Sequence, residues 1–69
     1  MRKIVYPVLE GKIVERSVSK HEIAKKMHIS DRALRLKLAG KSDFKWREVL
    51  IVQTFFPDMD ILKIMQKAS

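Results

Sequence analysis

The sequence contains no cysteine, so disulfide staples, zinc knuckles and thiol catalysis are all excluded, and the chain must be held by its apolar core, alone or with a partner subunit. Two glycines and two prolines in 69 residues leave little punctuation, which disfavours loop-rich and collagen-like architectures. No apolar run approaches the ~20 residues of a membrane-spanning helix. The start, Met1-Arg2-Lys3-Ile4-Val5-Tyr6-Pro7, meets proline and then Glu10 before a signal-type stretch develops, so a cytoplasmic protein is expected. Acidic residues are also scarce, at eight against fifteen Lys and Arg.

What is present is a short, strongly basic chain. A domain of this length buries only about 60% of the surface its unfolded form exposes, which leaves no volume for a deep substrate cleft. No paired carboxylates, activated nucleophile or phosphate loop can be found, so binding without catalysis, cofactor or small-molecule ligand is expected. One domain covering residues 1–69 is expected on the same ground. The net charge of +7 is unevenly spread: residues 20–47 carry nine Lys and Arg against three acids, and residues 48–69 carry two against three. Such a local excess concentrates polyanions near one face.

The apolar spacing predicts an all-α fold of four to five short helices. The first runs from about Tyr6 to Arg16, with Pro7 in its first turn and Val8, Leu9 and Ile13 as its stripe. Ser19-Lys20-His21-Glu22 is a capping box opening a second helix, whose inner face is Ile23, Ala24 and Met27 and which stops near His28. Ser30 caps a third helix over about Asp31 to Ala39, with Leu34 and Leu38 buried and Gly40 in the left-handed position that ends it. A fourth runs from Lys45 or Trp46 to Phe55, with Trp46, Val49, Leu50, Val52 and Phe56 as core candidates, and stops before Pro57. Asp58 or Asp60 caps a fifth helix containing Ile61, Leu62, Ile64 and Met65.

The tight link between helices two and three forces them to cross at a large angle, and Ala24 supplies the small residue this needs. The run Val18-Ser19-Lys20-His21-Glu22-Ile23-Ala24-Lys25-Lys26-Met27-His28-Ile29-Ser30-Asp31-Arg32-Ala33-Leu34-Arg35-Leu36-Lys37-Leu38-Ala39-Gly40-Lys41 resembles the lambda-repressor-like or Cro-type helix-turn-helix domains of bacterial and phage regulators. Asp43-Phe44-Lys45-Trp46-Arg47-Glu48-Val49 and Phe55-Phe56-Pro57-Asp58 extend the resemblance over nearly the whole chain. His28 stands where that family usually has glycine, Lys37 where an apolar residue is frequent, and Lys45 where Ser or Thr would cap better.

The resemblance implies a compact lambda-repressor-like fold with its helix-turn-helix at about residues 20–39. It also implies a sequence-specific double-stranded DNA-binding regulator, repressor or Cro-type, in a bacterial host cell. The recognition helix, about residues 31–39, would enter the major groove, with Asp31, Arg32, Arg35 and Leu36 meeting base edges. Ser19, Lys20, Ser30, Lys37, Lys41 and Lys45 are the candidates for phosphate contacts. A pseudo-palindromic operator would call for a homodimer, and Ile61, Leu62, Ile64 and Met65 form its candidate interface. The alternative is a protein-interaction module, antirepressor or antitoxin-like, on the same helices. His21 and His28 lack metal-ligand spacing and no third ligand cluster accompanies them, so no metal site is expected.

Overall fold

The computed structural model of the chain describes residues 4–68, and these form five helices: α1 (Pro7–Glu15), α2 (Lys20–Met27), α3 (Asp31–Leu38), α4 (Trp46–Phe55) and α5 (Ile61–Ile64). No strand occurs among the described residues, and no helix is long and apolar enough to cross a membrane. The radius of gyration is 11.0 Å, which matches the roughly 11 Å expected for a fully collapsed chain of this length.

Each helix is too short to persist in water on its own, so its ends and its buried face must hold it. Pro7 occupies the start of α1, where a missing N–H costs nothing. Ser19 Oγ accepts the Glu22 backbone N–H at 3.3 Å, Ser30 Oγ accepts that of Ala33 at 3.0 Å, and Asp60 Oδ1 accepts that of Leu62 at 2.9 Å. Of the two aspartates considered for α5, Asp60 is therefore the cap.

The ends of α1, α2 and α3 share one device. Val18 N–H donates to Ile13 O, Ile29 to Ala24 O and Lys41 to Leu36 O, each spanning five residues, while Ser17, His28 and Gly40 donate to the carbonyl three residues back. Those three residues have positive φ, at 54°, 59° and 78°. This is the Schellman ending, in which one left-handed residue satisfies two orphaned carbonyls. Gly40 and His28 were expected in such positions; Ser17 carries no comparable signal.

The core joins one side of every helix. Leu9 and Ile13 of α1, Ile23, Ala24 and Met27 of α2, Leu34 and Leu38 of α3, Val52 of α4, and Phe56 and Ile64 are all buried, with Tyr6 against them. Tyr6 meets Phe44 edge to face at 5.4 Å between ring centroids. Helices α2 and α3 are packed closely on each other, and α4 covers α2.

Three expected core residues, Trp46, Val49 and Leu50, lie outside it. Trp46 is 70% exposed and Leu50 44% exposed. Glu48 and Val52 turn inward on α4, and at roughly 100° per residue Trp46 and Leu50 fall on the opposite side. The apolar pattern of α4 was thus legible while its phase was not: a buried glutamate takes the inward position.

Candidate nucleic-acid interface

Helix α3 presents two different faces. Leu34, Lys37 and Leu38 point into the molecule, and Arg32, Arg35 and Leu36 point out. Arg32, Arg35, Leu36, Ala39 and Lys41 line one open groove of about 390 Å³. Three cations and the apolar Leu36 and Ala39 thus share its lining. A second groove, lined by Lys20, His21, Asp31, Leu34 and Arg35, runs between the starts of α2 and α3. Arg35 borders both, so the exposed start of α2 and the exposed side of α3 form one continuous basic surface.

Asp31 is held within that surface. Its carboxylate lies 3.0 and 3.2 Å from His21 Nδ1, an interaction that ties the first turn of α2 to the first turn of α3. The partner in the structure is His21, and its position ten residues away gave no periodic signal. Both side chains remain exposed, so the carboxylate keeps accepting capacity toward a further donor.

The phosphate candidates separate into three groups. Lys41 and Lys45 are exposed at the end of α3 and the start of α4. Ser19 and Ser30 are exposed; each hydroxyl oxygen accepts a backbone N–H as a cap, which leaves its own hydrogen free to donate. Lys20 is half-buried and pairs with Glu10 Oε1 at 3.2 Å, so its charge is partly neutralised.

Lys37 is a correction. It is 7% exposed, and its ammonium lies 2.9 Å from Glu48 Oε1, donates to Asp43 O at 3.0 Å and sits 6.0 Å from the centre of the Phe44 ring. A group so enclosed has no access to a phosphate. Glu48 Oε1 also accepts the Lys45 backbone N–H at 2.8 Å, the glutamate half of a capping box, while the lysine side chain, having no acceptor, gives the first N–H groups of α4 no cap. Burial works against the Glu48 carboxylate, but the Lys45 N–H and the Lys37 ammonium outweigh it and hold its pKa below the ordinary glutamate value. Two sequence signals could have revealed the pair: a lysine at a position where apolar residues are usual, and a glutamate three residues after an uncapped helix start.

The proposed α5 interface is also corrected in part. Ile64 is fully buried and Ile61 and Met65 are half-buried against the core, because α5 is a single turn laid on the body of the molecule. Leu62, 80% exposed, stands alone on the outside.

His21 and His28 lie apart in role: the first pairs with Asp31, and the second is the left-handed residue that ends α2. Elsewhere Arg16 closes a bidentate pair with Asp58 at 2.7 and 2.8 Å and stacks over Phe56 at 5.7 Å, joining the end of α1 to the α4–α5 link. That guanidinium lowers the Asp58 pKa to about 2.

Fold and surface together define a small all-α protein with a basic face built on two packed helices. Residues 4–67 match the family described as Protein of unknown function (DUF739), and the chain belongs to that family. Neither the curated proteins nor the solved structures contain a match.

Proposed function

We propose that the chain is a sequence-specific double-stranded DNA-binding regulator of transcription, of the repressor or Cro type, in which α2 and α3 form a helix-turn-helix. The observation that carries this reading is that Arg32, Arg35 and Lys41 line one groove with Leu36 and Ala39 on the exposed side of α3. A major groove about 12 Å wide admits a helix and offers guanine acceptors and thymine methyls, which suit those side chains. The chain's charge of +7 supports a polyanionic partner, and its excess in residues 20–47 is spread over α2, α3 and the segment that leads into α4.

In this reading Arg32 and Arg35 donate to guanine edges, Leu36 meets a thymine methyl, and Asp31, steadied by His21, accepts from a cytosine amine. Lys41, Lys45, Lys20 and the two capping serines meet phosphates and set register. Two copies on a pseudo-palindromic operator would place their α3 helices in successive major grooves, roughly 34 Å apart. No catalytic step, cofactor or small-molecule ligand belongs to the proposal, and the site of action is the bacterial cytoplasm.

Titration of labelled duplexes selected from a random library, at several salt concentrations, tests the reading. Lys41 and Lys45, with Lys20 partly neutralised by Glu10, predict a slope of log K against log salt of roughly −2 to −3 per copy. Arg32→Ala should cost about 1–3 kcal/mol on the selected site and relax base preference, and Lys41→Ala should weaken all duplexes alike. Absence of salt-sensitive binding to any duplex refutes the proposal, and would leave the protein-interaction module as the reading of the same helices.

A further inference from the structure

The cations of this molecule divide by whether an acid holds them. Lys12 pairs with Glu15, Arg16 with Asp58, Lys20 with Glu10 and Lys37 with Glu48. At the start of α4, Lys45 and Arg47 are exposed, and neither closes an ion pair among the described residues. Between them stands Trp46, 70% exposed, whose indole makes no hydrogen bond and meets no other ring there. An aromatic so open takes no part in the core. Two unmatched charges beside it suit a partner that offers negative charge and an apolar face together, and a nucleic-acid backbone alternates the two as phosphate and sugar.

The position of this cluster is fixed from α3. Lys41 N–H donates to Leu36 O at 3.0 Å, Lys37 Nζ donates to Asp43 O at 3.0 Å, and Glu48 Oε1 takes both the Lys37 ammonium and the Lys45 N–H. The segment from Lys41 to Glu48 is thereby tied to α3 at its beginning, middle and end. Lys41 also lines the groove that holds Arg32 and Arg35. Five residues of chain span at most about 18 Å, so Trp46 lies no more than about five phosphate steps from that groove along one strand.

We propose that Trp46, with Lys45 and Arg47, is a second contact with duplex DNA, made on the sugar–phosphate backbone beside the major groove that α3 enters. The indole face lies on a deoxyribose, its Nε1–H donates to a phosphate oxygen, and the flanking cations meet the phosphates on either side. This inference rests on the DNA-binding reading above and extends it to residues that read no sequence. Contacts with the backbone raise affinity for every duplex and leave base preference unchanged. Continuity with the α3 groove favours a duplex over an unpaired strand, on which an indole would stack against bases instead.

Trp46 is the only tryptophan in the sequence, so its emission and its quenching by acrylamide report on this position alone. Anisotropy of a fluorescein-labelled duplex of mixed sequence records binding of the full chain at low salt, and the unlabelled duplex serves for emission. Acrylamide quenching should fall as the complex forms. Trp46→Ala should bind every duplex roughly tenfold more weakly, the equivalent of one hydrogen bond and one apolar contact, with Trp46→Phe between it and the parent. The salt slope should be about one unit steeper than Lys41, Lys45 and Lys20 account for, and Arg47→Ala should remove that unit. Circular dichroism confirms that each variant folds. Duplex binding that leaves Trp46 as accessible as in the free chain, or Trp46→Ala binding as tightly as the parent, overturns this inference while the DNA-binding reading stands. A tighter hold on the single strand of the same sequence than on the duplex overturns it as well. No anisotropy change with any duplex refutes the reading itself, and this inference with it.

Discussion

Replacing Lys37 with methionine removes the ammonium from a site where both partners of the ion pair are almost wholly enclosed, with side chains 8% and 3% exposed. Methionine matches the alkyl stem in volume, so the apolar contacts against Phe44 largely survive and the loss is electrostatic. Glu48 then remains buried with one donor, the Lys45 N–H. Breaking a buried pair from one side typically costs about 3–5 kcal/mol, because the surviving charge is left uncompensated. The Lys45 bond persists, which places the expectation near the lower end, about 3 kcal/mol. A 69-residue domain has a total stability of roughly 3–10 kcal/mol, so this one change takes a third or more of it. Urea denaturation followed by far-ultraviolet circular dichroism measures the loss. The double variant Lys37→Met with Glu48→Leu should recover part of it, since two apolar groups replace two charges, while still lacking the helix-start bond at Lys45. A Lys37→Met midpoint equal to that of the parent, or a double variant no more stable than the single one, would refute the reasoning. The pH dependence follows from the same geometry. The folded Glu48 pKa is depressed, so its stabilisation is complete above the unfolded value and is lost as pH falls through the folded one. Without Lys37 the main cationic support is gone, burial dominates, and the acid limb should begin at higher pH.

Three further outcomes are expected. His28→Gly and Ser17→Gly should each raise stability by up to about 1 kcal/mol, as the left-handed strain relieved exceeds the added freedom of the unfolded chain. Gly40→Ala should instead lower it by about 1–2 kcal/mol, since φ is +78° and the new Cβ would sit 3.1 Å from Val5 Cγ2; thermal melts of the three variants rank them. Asp58, held near a pKa of about 2 by Arg16, should keep the α1 end clamped to the α4–α5 link throughout mild acid. That contribution is present above the unfolded aspartate value and disappears as pH falls through about 2, which the Asp58 carboxylate chemical shift would follow.

Helix positions were legible because they rest on local chemistry. Ser19, Ser30 and Asp60 cap what their spacing predicts, and Ala24 is buried as a close helix crossing requires. What escaped depends on pairing across the chain. Lys37 and Glu48 both look like surface residues when taken singly, and only folding brings them within 2.9 Å of each other. Once Glu48 points inward, Trp46 must point outward, so a single unread ion pair displaced both a phosphate candidate and a core candidate. On α3, Asp31, Arg32, Arg35 and Leu36 are exposed as the spacing of Leu34 and Leu38 implies, with Asp31 lining the groove next to the one that holds the other three.

The buried Lys37–Glu48 pair also works as an index mark on α3. Slipping that helix by one residue would turn it by roughly 100° and pull the ammonium away from its carboxylate. The buried leucines add to that penalty, because the same slip would carry Ala33 or Arg35 into the place of Leu34 and Lys37 or Ala39 into that of Leu38. Rotational phase is thus set from inside the molecule, and the ends are locked by main-chain bonds at His28 and Gly40. Positions 32, 35 and 36 are consequently free to vary without altering where they are displayed. The scaffold fixes the page, and substitution at those three positions can rewrite the text.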